Sequence, residues 1–335
     1  MSRTARALMG PALVLCLSAL TAFAADEPQR PGLPAGAELS GRKKIVFVSG
    51  PPSHSFAAHE HYAGCMLLAR DLNENMPNVV AEVYKWKWPE DPHAFDNAAA
   101  IIIYSDGGEG HIAIPHLDQL AELMDKGVGL GCIHYAVEVP KGKVGDDWLK
   151  WIGGYFETFW SINPEWTANY TDIPNHEVTR GVRPLTTHDE WYYHMRFRPE
   201  MQGVTPILSA VPPDHTRMGH DDAHGGNPAV REGVGKHIAE TTVWVATRDN
   251  GGRGFGCTGG HHHWNWAQDD FRKTILNCIV WTAHVDVPPS GVPSKTPTID
   301  DLLANQDKPV PPNFNRERTR KQIEKMNPEK SATAR

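Results

Sequence analysis

The feature that most constrains the fold is GVGLGCIHYAV, Gly127 to Val137. Its apolar residues do not alternate with polar ones, so the run reads as a strand buried on both faces of a parallel sheet. It stops at His134, flanked two residues away by the small side chains of Cys132 and Ala136. Small neighbours are the steric requirement of a sharp strand-to-helix elbow that lifts one side chain over the end of a sheet. His134 is therefore a candidate catalytic acid/base or metal ligand. The alternative is a hydrogen-bonded structural imidazole.

The segments before this strand repeat one unit. Lys44 to Ser49 is a buried strand ending in a Gly-Pro-Pro loop with His54, and His59 to Glu74 has helical spacing. Val79 to Tyr84 and Ala98 to Tyr104 are further strands, and Leu117 to Met124 is a second helix. Strands alternating with helices over 43–150 predict a flavodoxin-like α/β fold, a mostly parallel sheet with helices on both faces and right-handed crossovers. From Trp148 the pattern turns aromatic-rich and irregular, as insertions into that fold. Strands are expected at 189–197, 205–211, 241–247 and 253–258, a surface loop at 215–236, and a closing helix over Asp270 to His284. Residues 287–335, rich in proline and charge, read as an extended tail with one short helix at Ile299 to Ala304.

Composition narrows the partners. The chain has 335 residues, 40% hydrophobic and 22% charged, with a net charge of -7 and no basic run. That excludes nucleic acid, which needs clustered Lys and Arg, and no nucleotide cofactor is expected. Arg3 and Arg6, the apolar run to Phe23 and the Ala22-Phe23-Ala24 motif form a signal peptide over 1–24, cleaved after Ala24. A linker follows over 25–42, so the mature protein is expected to be secreted or periplasmic. No other stretch is long enough to span a bilayer. Cys65, Cys132, Cys257 and Cys278 lie in glycine-rich strands or on apolar helix faces, which favours small buried thiols over disulfides. Oligomeric state is left open.

In open parallel sheets ligands bind at the carboxyl ends of the strands. Here those ends carry His54, His59 and His61 after the first strand, and Asp106, Glu109 and His111 after the third. The central strand adds His134 and Glu138, and the last adds His261, His262 and His263. Two functional readings follow: a zinc-like divalent metal held by a set such as His54, His134 and His261, or a metal-free acid/base site. Extended backbone would put His261 and His263 on one side and His262 on the other. Asp189 and Glu190, with Tyr192 nearby, are candidate catalytic and substrate groups, and Asp106 is a candidate substrate contact. Cys132, two residues before the elbow, points into the sheet and is read as structural. Among the 11 tryptophans, Trp160, Trp191 and Trp264 are candidates for stacking a carbohydrate, because sugar C–H faces pack on aromatic rings. The same rings could equally be core.

Several of these segments together resemble a known family. KIVFVSGPPSH, GLGCIHYAV, NHEVTRG at 175–181, DEWYY at 189–193, GGRGFGCTGGH at 251–261 and the following FRKTILNCIVW are similar to the trehalose-utilisation (ThuA-like) family over about 43–286. The resemblance implies a fold like that of class I glutamine amidotransferases, with His134 where those enzymes place a nucleophilic cysteine. It implies a role in sugar utilisation, on a glycoside or a keto-sugar, by hydrolysis, elimination or isomerisation. It also implies a site at His54, His134, His176, Asp189, Glu190 and His261. The alternatives are a non-catalytic sugar-binding module and amidotransferase-like hydrolysis through Cys132.

Overall fold

The structure is a computed structural model that describes residues 27–328, so the expected signal segment 1–24 lies outside the described residues. The strands are β1 (Lys43–Ser49), β2 (Val79–Tyr84), β3 (Ala98–Tyr104), β4 (Gly129–Ile133), β5 (Gly154–Tyr155), β6 (Glu165–Tyr170), β7 (Leu185–Glu190), β8 (Arg196–Phe197), β9 (Val204–Ala210), β10 (Glu240–Thr247) and β11 (Arg253–Cys257). The helices are α1 (His61–Asn75), α2 (Leu117–Asp125), α3 (Lys143–Ile152), α4 (Pro228–Arg231), α5 (Asp269–Thr282), α6 (Ile299–Leu303) and α7 (Arg316–Met326).

Seven strands form one sheet in the order β2-β1-β3-β4-β11-β10-β9. The first five run parallel, and β10 and β9 extend the sheet antiparallel. The order reverses between β1 and β3, and in open α/β sheets ligands bind outside the carboxyl ends of the strands at such a reversal. Because side chains alternate along a strand, Ile45 and Phe47 of β1 pack with Leu68 of α1 and Ile275 of α5. Val46 and Val48 pack on the other face with Leu120 of α2 and Trp148 of α3. Each such fully buried side chain contributes about 1.5–3 kcal/mol. Gly131 makes room for a neighbouring strand, since a Cβ there would lie 2.0 Å from the Phe255 ring. Cys132 belongs to the α2/α3 face and is fully buried.

Two sequence expectations are corrected. The strand read over 189–197 ends at Glu190. Beyond it the chain keeps an isolated bridge from Tyr193 to Ile162 and the two-residue β8, which pairs with β5; between them His194 has φ 56°, outside strand geometry. β6 and β7 form a separate antiparallel hairpin. The segment after 287 is not extended: α6 and α7 fold back on the body, burying Val292 and Leu302. Phe314 stacks on Trp264 at 5.6 Å. Among the described residues no helix is long and apolar enough to cross a membrane, and Cys65, Cys132, Cys257 and Cys278 are free buried thiols.

Candidate active site

The loop after β1 is stitched to the loop after β11. His59 N–H donates to His261 O at 3.0 Å, and His263 N–H donates to Ala57 O at 2.9 Å. Ala57 and His59 adopt φ 63° and 50°. This strained turn is held by the buried Glu60 carboxylate, which accepts the N–H of Ala57 at 3.0 Å and of Asp307 at 2.6 Å. His134 opens a 3-10 turn directly at the end of β4 with φ 58°, the sharp elbow expected from its neighbours. Asp189, fully buried, accepts Gly260 N–H at 2.7 Å and His262 N–H at 3.3 Å. It therefore fixes the His261 loop against β7, whose last residue is Glu190.

These elements bring four side chains to one point. His59 Nε2 lies 3.0 Å from His134 Nε2 and 3.0 Å from His261 Nδ1. Glu190 Oε2 lies 3.2 Å from His261 Nδ1 and 3.5 Å from His134 Nε2. One ligand atom from each of the four falls within 4.8 Å of the others. The outer nitrogens settle the tautomers. His134 Nδ1 lies 2.8 Å from the carbonyl of Thr258, and His59 Nδ1 lies 2.8 Å from Asp106 Oδ1, so both Nδ1 atoms carry the proton and donate. In the neutral rings both Nε2 atoms then present lone pairs to each other at 3.0 Å. That repulsion is relieved by a shared cation or proton.

The electrostatics agree. Burial pushes the His59 imidazole well below its ordinary value, outweighing the hydrogen bond to Asp106 that opposes it. Burial would raise Glu190, but its hydrogen bonds with His134 and His261 hold it well below the usual carboxylate range. Burial would lower His261, and the hydrogen bond to Glu190 raises it instead. Three imidazole nitrogens and a carboxylate suit a borderline-soft divalent ion such as zinc. Asp106 and the Thr258 carbonyl are the outer partners that orient the ligands of such a site. Tyr192 O–H lies 3.2 Å from His134 Nε2, and Asn163 Nδ2 donates to Glu190 Oε1 at 3.2 Å.

The structure thus gathers His134, Glu190, His261 and Tyr192 as the sequence suggested, and revises the rest. His59, not His54, is the third imidazole; His54 stacks on its outer face at 3.5 Å between ring centroids. Asp106 orients His59 and Asp189 orients a loop; neither is among the four convergent groups. His176 caps a 3-10 turn and packs 5.6 Å from Trp281, near the opposite end of the sheet. Trp191 is buried core between Tyr170 and Phe271. Trp264 is stacked by Phe314, and the face of Trp160 is covered by the Arg196 guanidinium at 3.8 Å. The chain enters a 3-10 turn at His263, so period two fails there and the ring is buried away from the cluster. His111 is a buried structural imidazole, pushed down to about 4 by burial, with both nitrogens bonded to main chain. Burial pushes the Cys132 thiol up, away from the thiolate that nucleophilic attack requires.

Sequence reasoning missed one pair. His224, in the presumed surface loop, lies 3.1 Å from both carboxylate oxygens of the buried Glu138, on the turn that His134 opens. The hydrogen bond to Glu138 raises His224 above its ordinary value.

The sequence pattern of the trehalose-utilisation family, ThuA, matches residues 54–282. No match was found among curated proteins. Among solved structures, the chain is similar to a ThuA-like protein from Bacteroides uniformis, at 17% identity over 76% of this chain and 94% of that one, with a TM-score of 0.45. It is also similar to a ThuA-like protein from Parabacteroides merdae, at 15% identity over 76% and 93%, with a TM-score of 0.46. PurLQS from Thermotoga maritima gives 12% identity over 72% and 97%, with a TM-score of 0.35.

Proposed function

The chain belongs to the ThuA, trehalose-utilisation, family, and from that premise we propose that it is a carbohydrate-active enzyme whose centre is a divalent cation on His59, His134, His261 and Glu190. The substrate is a glycoside or keto-sugar, transformed by hydrolysis, elimination or isomerisation. One observation carries this reading: two imidazoles, each fixed by its Nδ1–H, aim unprotonated Nε2 atoms at each other 3.0 Å apart beside an anionic carboxylate. Such a cluster of acceptors is satisfied by a positive charge.

A cation there supplies Lewis-acid polarisation of a sugar carbonyl or hydroxyl oxygen. The protein's own groups supply the rest. Asp106 and Thr258 keep the two rings in the ligating tautomer. Asn163 holds the second oxygen of Glu190 and so fixes the carboxylate plane. His224, whose proton affinity is raised by the hydrogen bond to Glu138, is the candidate proton donor toward a leaving or enolic oxygen, with the pair drawing the proton back afterwards.

The test is turnover of keto-disaccharides and their parent glycosides by protein stripped with a chelator and then reloaded with zinc, manganese, cobalt or nickel. Activity should vanish on stripping, return with one of these ions, and fall at least 100-fold in His59→Ala. Turnover indifferent to both chelation and His59→Ala would overturn the reading.

A further inference from the structure

Beyond the central cluster, the β6–β7 hairpin carries a second set of donors. Its inner face packs Trp166, Ala168, Tyr170 and Leu185. Its outer face therefore presents Glu165 and Thr167 on β6, with His188 and Glu190 on β7. Glu165 stands directly across from Glu190, and Thr167 across from His188. Glu190 turns to the central cluster, whereas Glu165 meets His188 and His262. His188 Nε2 is 3.4 Å from Glu165 Oε2, and His262 Nε2 is 3.6 Å from Glu165 Oε1. The two rings lie nearly parallel, 5.9 Å apart at 17°. One ligand atom from each of the three residues falls within 4.8 Å of the others.

The backbone under both histidines is hydrogen-bonded to neighbouring side chains. His188 O accepts from Asn265 Nδ2 at 2.8 Å, and His262 N–H donates to the buried Asp189. The Thr167 hydroxyl, 3.2 Å from His188 Nδ1, keeps that nitrogen occupied and leaves Nε2 for the ligand. Two adjacent pairs, His261 with His262 and Glu190 with Glu165, each give one member to either centre.

We infer that Glu165, His188 and His262 form a second divalent-cation site at the rim, separate from the central one. Two imidazole nitrogens and one carboxylate select a zinc- or cobalt-class ion over magnesium or calcium. The half-exposed side chains of Glu165 and His188 leave coordination positions open to water or to a ligand oxygen.

The experiment is titration of the metal-stripped full chain with zinc by calorimetry and with cobalt(II) by visible absorption, together with metal content after dialysis. Wild type should bind two equivalents. His188→Ala and Glu165→Gln should each lose one equivalent while keeping the other, and His59→Ala should keep the rim equivalent. Because Glu165 and His188 are half exposed, these variants should retain the wild-type melting temperature. If both rim variants keep the wild-type stoichiometry, or if His59→Ala abolishes all binding, the second site is disproved. The central reading fails separately, when His59→Ala leaves the stoichiometry unchanged.

Discussion

At His134 the backbone has φ 58°, in the left-handed region where a side chain costs about 1–2 kcal/mol. The turn is held there by Thr258 O on the ring and by the 3-10 turn that follows. Glycine relaxes that backbone, so His134→Gly should be about 1 kcal/mol more stable than His134→Ala in urea unfolding, although both lose the ligand. Equal stabilities would mean the elbow stores no strain. His134 and His261 were legible in sequence because each stands just past the end of a strand whose pattern is plain, whereas Glu190 and Tyr192 stood out as polar groups in a segment read as a strand over 189–197. His59 was harder to choose over His54, since the Gly-Pro-Pro loop has no period. What selects His59 is a carboxylate, Asp106, 47 residues away. The tryptophans misled for a related reason: ring faces suited to sugars are equally suited to Phe271, Phe314 or Arg196, and sequence does not tell which neighbour arrives.

Among the elements, the segment between β9 and β10 gains its order from polar pins. Phe159 N–H donates to Ala223 O at 2.9 Å, Asn163 N–H to His224 O at 3.2 Å, and Asn227 Nδ2 to Trp160 O at 2.9 Å. His224 adds an ion pair with Glu138. Its folded pKa is raised above the unfolded 6.5, so its contribution is complete below about 6.5 and is lost as pH rises through the folded value. The His224 ring proton should titrate above 6.5 by NMR, and Glu138→Gln should bring it down to 6.5 or lower. An unshifted titration in both proteins would remove the pin. Such contacts leave no hydrophobic period, which is why this segment read as surface loop. The β6 strand, EWTANY, did carry the signal: Trp166, Ala168 and Tyr170 alternate inward, a period of two hidden among the aromatic insertions.

On the scale of the whole molecule, the parallel sheet was legible because doubly covered strands are near-continuous apolar runs. The docking of the last forty described residues was not. Of α7 only Thr319 is buried, and Asn327 beyond it anchors through Asp269 N–H and Ala267 O, so hydrogen bonds replace an apolar stripe. Asp307 reaches back to Glu60, and Arg70 pairs with Asp301 at 2.6 Å. Glu60→Ala would leave the N–H groups of Ala57 and Asp307 without this acceptor, at a cost of about 1–3 kcal/mol for each that stays dry. It should lower the melting temperature, speed hydrogen exchange at both amides and weaken zinc binding at the proposed central site. Unchanged exchange at Ala57 would show that the loop needs no such brace. Glu60 and Asp307 are 247 residues apart, which also sets an order of assembly. A ribosome delivers the sheet, the elbow and β11 before it delivers Asp307, so a chain interrupted before that residue would have the His59 loop in place without the N–H that Glu60 accepts from the far end of the chain.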